Sequence, residues 1–250
     1  MIYDPCIMRF TTMDPMCEKY YHLSPYAYCG NNPVNAVDPS GMDIWDIDSY
    51  GQITNHIGTE DFDKIRVLNA KGSIIAQTEN FIYGTISHQT IKHENGNYEL
   101  FQIKGDSNGR DVFETFAKNT DVEWSLAQFD DTSAIPNILT TSHMEDSDHG
   151  INNYLFHNNS YVMSLNRLDH NHPGLTTFPS FSINEKGEFL GDMGMVYHFN
   201  DYYPNNHIKY NIYTLNNGKW GYYNYNENTI INNGKNKNLL PNIIKYGNKK

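Results

Sequence analysis

Residues 168–174 read LDHNHPG, and the way this heptapeptide is paired decides how the chain folds. In an extended strand the side chains of residues i and i+2 leave the same face, so His170 and His172 point together and can grip one metal ion. A helix would separate them. Pro173 stops the stretch, which therefore reads as the end of a strand (residues 161–171) rather than the middle of one. Upstream, Val122-Glu123-Trp124 opens the mostly apolar stretch VEWSLAQF, a second expected strand, and places a carboxylate in it. Downstream, Gly191-Asp192 supplies another carboxylate where a helix is expected to start. Two histidines, one aspartate and one glutamate are the makings of a hydrolytic zinc site.

Outside this constellation the chain alternates short apolar runs with Gly- and Asn-containing turns. Ile74-Ile75-Ala76, Phe81-Ile82-Tyr83 and Tyr98–Ile103 read as strands. Residues 110–118 read as a helix, with Val112, Phe113, Phe116 and Ala117 on one stripe. Asn184–Gly187 predicts a hairpin turn inside residues 182–190, and Asn216-Asn217-Gly218 predicts another near the end, followed by a polar Asn/Lys-rich tail. The expected class is α+β, a mixed or antiparallel sheet flanked by helices.

Composition narrows the function. The 250 residues carry 18 Lys+Arg against 29 Asp+Glu, a net charge of -11. Such a surface repels phosphate backbones and argues against nucleic acid as a partner. The 19 Tyr, 12 Phe and 3 Trp offset a mean hydropathy of -0.65 by supplying large apolar faces with polar handles. No apolar run is long enough to span a membrane. The opening MIYDPCIMRF lacks the basic and apolar regions of a signal peptide, so export is expected by another route or within a longer parent chain. Cys6, Cys17 and Cys29 are spaced unlike a zinc finger and read as plain thiols.

The first 42 residues differ in style, being dense in Pro, Asn, Tyr and Asp-Pro turns. Their ordered elements YDP, RF, DP, SPY, NNP and DPxG, over residues 3–41, resemble the C-terminal end of the RHS repeat-associated core, with Met8 standing where that family has Gly. The resemblance implies that a core remnant ends at Asp38-Pro39-Ser40-Gly41, that Met42 marks the junction, and that a variable toxin domain follows.

Glu123, then His170-Asn171-His172-Pro173, Ser180 and Asp192 are similar, in this order, to the JAB/MPN metalloprotease motif. That resemblance implies Zn²⁺ held by His170, His172 and Asp192, Glu123 as general base, and Ser180 as oxyanion donor, with Ser182 as the fallback. The family has Ser three residues before Asp; here Phe189 occupies that position, so the expected 182–190 hairpin reads as an insertion between the two halves of the motif.

Together the resemblances imply a short β-type RHS remnant (1–42), a β-rich lead-in (43–105) and a JAB-like metallopeptidase toxin domain (106–250). They further imply a polymorphic toxin of bacterial competition, delivered rather than carried by a signal peptide. Its partners would be the parent RHS shell, a protein or peptide substrate in the target cell, and a cognate immunity protein.

Two other readings compete. Asp169-His170-Asn171-His172 also resembles the DHxH stretch of HNH endonucleases. That site needs a basic groove and often paired cysteines, whereas residues 43–250 hold 16 Lys+Arg against 25 Asp+Glu and no cysteine. A JAB-like domain that only binds a partner is the non-enzymatic alternative. The cluster Thr141–Gly150, with His143, Glu145, Asp146, Asp148 and His149, lacks regular ligand spacing and reads as a solvated loop.

Overall fold

In Tyr98–Ile103 the side chains alternate between two separate cores: Tyr98 and Leu100 enter one, Phe101 and Ile103 the other. A strand with apolar residues on both faces must be covered on both. The computed structural model shows how, and it describes residues 3–4, 9–10, 42–59, 62–94, 96–130, 134–185, 187, 189–204 and 206–226. The chain divides into Met1–Met42 and Asp43–Lys250. In the first unit, β1 (Tyr3–Asp4) pairs antiparallel with β2 (Arg9–Phe10). Most of the expected RHS-type remnant, with its three cysteines, lies outside the described residues, as does the Asn/Lys-rich tail.

In the second unit, β3 (Met42–Ile47), β4 (Ile53–Thr59), β5 (Lys64–Leu68) and β6 (Ile74–Gln77) form a four-stranded sheet in the order β4-β3-β5-β6. Among the described residues the larger sheet has seven strands. They are β7 (Ile86–Ile91), β8 (Tyr98–Ile103), β9 (Ser125–Phe129), β10 (Asn137–Thr141), β11 (Leu165–Asn171), β14 (Lys209–Asn216) and β15 (Lys219–Tyr225), in the order β15-β14-β11-β9-β10-β8-β7. Between β11 and β14 the chain makes a small hairpin, β12 (Ser182–Ile183) with β13 (Phe189–Leu190), and the helix α3 (Gly191–Tyr202). That excursion lets β11 and β14 run parallel, while the other strand pairs of the large sheet are antiparallel.

One face of the large sheet is closed by α2 (His149–His157) and α3 through Ile151, Leu155, Met193, Val196 and Phe199. The other is closed by α1 (Asp106–Asn119) and by Trp45, Ile47, Ile65 and Val67 of the small sheet. The stripe Val112, Phe113, Phe116 and Ala117 is the buried face of α1, as its spacing predicts. Central strands β9 and β10 are buried at every position, because each face meets a packed layer. Asn217 and Gly218, both at positive φ, form the two-residue turn of the β14–β15 hairpin.

This mixed α+β architecture, with three α-helices among the described residues, agrees with the class read from the sequence. Particular elements differ from expectation. Phe81-Ile82-Tyr83 is no strand: Phe81 makes a single bridge to Asp63, and Thr85 N–H then donates to Ile82 O at 3.1 Å as the chain turns. The strand expected at 161–171 begins only at Leu165, after a 3₁₀ helix over Asn159–Ser164. The strand expected to carry Glu123 starts two residues later, at Ser125, because the Asn171 side chain replaces a backbone partner for Trp124 N–H. Strands β7 and β8, upstream of residue 106, pair into the same sheet as β9, β10 and β11.

Candidate metal centre

Strand β11 lies between β9 and β14, and His170 faces Ser125 across the antiparallel ladder. One residue beyond that ladder, Asn171 N–H still donates to Trp124 O at 3.2 Å. His170 and His172 leave the same face, and their Nε2 atoms stand 3.0 Å apart. Just past the ladder, the His172 ring is oriented from behind: its Nδ1 lies 2.7 Å from Thr176 Oγ1 and 3.2 Å from Thr176 O. A second hydrogen bond of this kind fixes a ligating imidazole.

The third donor comes from α3. Asp192 is the second residue of the helix, and its Oδ2 lies 3.3 Å from His170 Nε2 and 3.4 Å from His172 Nε2. Sequence separation is bridged by the inserted hairpin, where Ser182 pairs with Leu190 and Ile183 with Phe189. Zipping these strands returns the chain to Ser180, whose N–H donates to Asp192 Oδ2 at 2.6 Å and whose Oγ accepts from Asp192 N–H at 3.0 Å. Gly191 makes the join possible. Its φ is +75°, and a Cβ there would sit 2.6 Å from Ser180 Oγ and 2.9 Å from Ser180 O.

The donor set suits a small tetrahedral cation. Ligands about 2.0–2.1 Å from a tetrahedral zinc stand about 3.3 Å from one another. The three edges here are 3.0, 3.3 and 3.4 Å. Among the described residues this is the His/Cys/Asp/Glu group assembled closely enough to hold a metal.

Glu123, 7 % exposed, opens onto the same cleft of about 200 Å³ as His170, Ser180, Gly191 and Asp192. Burial pushes its carboxyl up to about 8, with Asp192, Asp148 and Asp146 adding to the rise and His170 opposing it. His170 is driven the other way from what burial favours: the Asp192 charge and hydrogen bond, with Glu123 and Asp169, raise it to about 9. Asp192 lies well below the ordinary carboxylate range, since the two imidazoles outweigh its desolvation. Among the described residues the cleft is lined by Glu123, Asp146, Asp148 and Asp192 and by no Lys or Arg. Buried Tyr225, on β15, also lines it and sets its ring edge-on to His170.

The structure thus brings together His170, His172, Asp192, Ser180 and Glu123. Ser182 pairs in β12 and does not line the cleft. The acidic cluster at 141–150 is part loop and part helix start. Buried Asp148 caps α2 through Gly150 N–H at 2.9 Å and accepts from Ser142 at 2.8 Å and Thr140 at 2.5 Å. His143 turns away to Glu99, which His88 and Thr90 also hold. Sequence reasoning overlooked Tyr225, Gly191 and Asn171. A glycine directly before the aspartate, and an amide between the two histidines, were the available signals for the last two.

Residues 101–197 match the family model for JAB-like toxin 1. The match supports a JAB-like toxin domain over this stretch, which holds Glu123, His170, His172, Ser180 and Asp192. Among curated proteins, salivary gland surface protein 1 of Aedes aegypti is 58% identical over 41 residues, 16% of this chain. The chain spans about 1% of the length of that protein. No solved structure matches.

Proposed function

We propose that this chain is the zinc-dependent peptidase or isopeptidase tip of an RHS polymorphic toxin. The carrying observation is the triangle of His170, His172 and Asp192, of which His170 and Asp192 line the same cleft as buried Glu123. His170, His172 and Asp192 would hold the ion, leaving a fourth position for water or substrate. Zinc, when bound, supplies a Lewis acid and makes water a nucleophile near neutral pH.

The remaining chemistry belongs to side chains. Glu123 takes the proton of the attacking water and passes it to the leaving amine nitrogen; a buried carboxyl raised toward neutrality both accepts and returns a proton there. Ser180 Oγ accepts from Asp192 N–H, which leaves its own hydroxyl hydrogen to donate to the oxygen of the scissile carbonyl. An amide hydrolysed in this way yields a carboxylate and an amine.

Against the nuclease alternative, Asp169 lies outside the metal-holding group found among the described residues. It is fully buried on the opposite face of β11, held by Arg167 at 2.7 Å and Asn211 at 2.7 Å. A cleft lined, among the described residues, by four carboxylates and no Lys or Arg is also a poor cradle for phosphates. Delivery as an effector, a target-cell protein substrate and a cognate immunity protein follow from the toxin reading. The test is hydrolysis of a quenched-fluorescent peptide library by the zinc-loaded full chain. Cleavage that disappears in Glu123→Gln supports the reading, whereas cleavage of DNA by wild type but not by His170→Ala would replace it with the nuclease.

A further inference from the structure

Residues 122–124 carry the general base of the reading above, yet they lie outside any strand. Buried backbone polar groups without a ladder need other partners. Asn171, 1 % exposed, supplies three of them. Its Nδ2 donates to Val122 O at 3.1 Å, its Oδ1 accepts from Trp124 N–H at 2.7 Å, and its own N–H donates to Trp124 O at 3.2 Å. The side chain therefore straddles Glu123, gripping the residue on either side.

The other two groups are met from the opposite flank. Glu123 N–H donates to Met144 O at 2.7 Å, and Glu123 O accepts from Thr141 Oγ1 at 2.7 Å. Trp124 anchors the segment in the core, its ring 4.2 Å from that of Phe116 and its Nε1 donating to Thr120 Oγ1 at 2.9 Å. Every main-chain polar group from Val122 O to Trp124 O is thus fixed. The residue providing most of that hold sits between His170 and His172, so one heptapeptide presents two imidazoles on one face and the clamp for the base beside them.

We propose that Asn171 is a positioning residue, which with Thr141 sets where the Glu123 carboxyl stands relative to the His170/His172/Asp192 centre. This rests on Glu123 acting as the base. A buried amide that merely completed backbone hydrogen bonds would affect stability alone. A positioning amide affects the chemical step while leaving the metal ligands intact.

The experiment uses the full chain loaded with Co²⁺, as wild type, Asn171→Ala, Thr141→Val and Glu123→Gln. It reads Co²⁺ per chain, the pH midpoint of the visible absorption change, and kcat and KM on the best-cleaved peptide of the quenched-fluorescent library. Expected are unchanged Co²⁺ stoichiometry in all four, a midpoint in Asn171→Ala and Thr141→Val displaced from wild type toward Glu123→Gln, and kcat lowered roughly 10- to 100-fold with KM within about twofold. Wild-type midpoint and kcat in both clamp variants would overturn the proposal. If Asn171→Ala does not fold, the near-isosteric Thr141→Val decides by the same two readouts. Wild-type behaviour of Glu123→Gln itself would instead remove the base assignment, and the clamp with it.

Discussion

Ser180 and Asp192 hold each other reciprocally: the Ser180 N–H donates to Asp192 Oδ2, and the Asp192 N–H donates to Ser180 Oγ. A ligand carboxylate is thereby aimed at the two imidazoles by a residue twelve positions earlier. Ser180→Ala removes one of the two bonds and the free hydroxyl hydrogen. The bond from the Ser180 N–H to the Asp192 carboxylate survives and the one that fixes the Asp192 main chain is lost, so the variant is expected to keep the fold and weaken zinc binding by up to roughly tenfold. Competition with a chromogenic chelator measures this, and unchanged affinity would confine Ser180 to catalysis or to neither role.

Gly191 is the hinge of that arrangement. In Gly191→Ala the new methyl would press on Ser180 Oγ and O, at a φ of +75° that alanine resists. A loss of about 1–3 kcal/mol is expected from the backbone strain, with zinc binding falling in parallel. Thermal unfolding with and without zinc separates the two effects.

Glu123→Gln keeps the size of the side chain and abolishes its basicity. Zinc per chain should stay at the wild-type level while peptide hydrolysis falls by roughly 10²- to 10⁴-fold, the usual contribution of a general base. Elemental mass spectrometry and turnover on the same sample decide whether metal and base are separable.

A buried ion network away from the cleft governs acid stability. Desolvation works to raise the Glu99 carboxyl, but hydrogen bonds from His143, His88 and Thr90 prevail and hold it at about 2, against an ordinary 4.5. Its contribution is complete above pH 4.5 and is lost as pH falls from there through about 2. His143 works in the opposite sense. Burial lowers it, Glu99 outweighs burial and raises it above 6.5, so its contribution is complete below 6.5 and is lost as pH rises through the folded value. The stability difference between wild type and Glu99→Gln should therefore be greatest between pH 4.5 and 6.5 and shrink on either side. Urea titrations across that range report it.

The donors of the centre were legible in sequence because they obey local rules. Residues two apart on a strand share a face, Pro173 ends the strand, and an acidic residue in the first turn of a helix is favoured there. The 182–190 hairpin was legible for a similar reason, a turn tetrapeptide between short apolar runs. Glu123 was found as a carboxylate, but its surroundings were not. Its segment is held by a side-chain amide 48 residues away, and no local pattern encodes a long-range bond between Asn171 and Trp124 N–H. Tyr225 closes the terminal hairpin around Asn216-Asn217-Gly218, pairing with Tyr210, yet its place in the cleft depends on β14 pairing parallel to β11. That register is set by the excursion through α3. The two-sided burial of β9 and β10 likewise reflects packing layers that come from distant parts of the chain.

Hydrolysis as proposed requires zinc held by His170, His172 and Asp192. Zinc per chain, measured by elemental mass spectrometry on the purified 250-residue chain with wild type beside His172→Ala, tests this requirement most directly. Near one zinc per wild-type chain and little in the variant are expected. Equal zinc in both, or none in wild type after zinc addition, would contradict it.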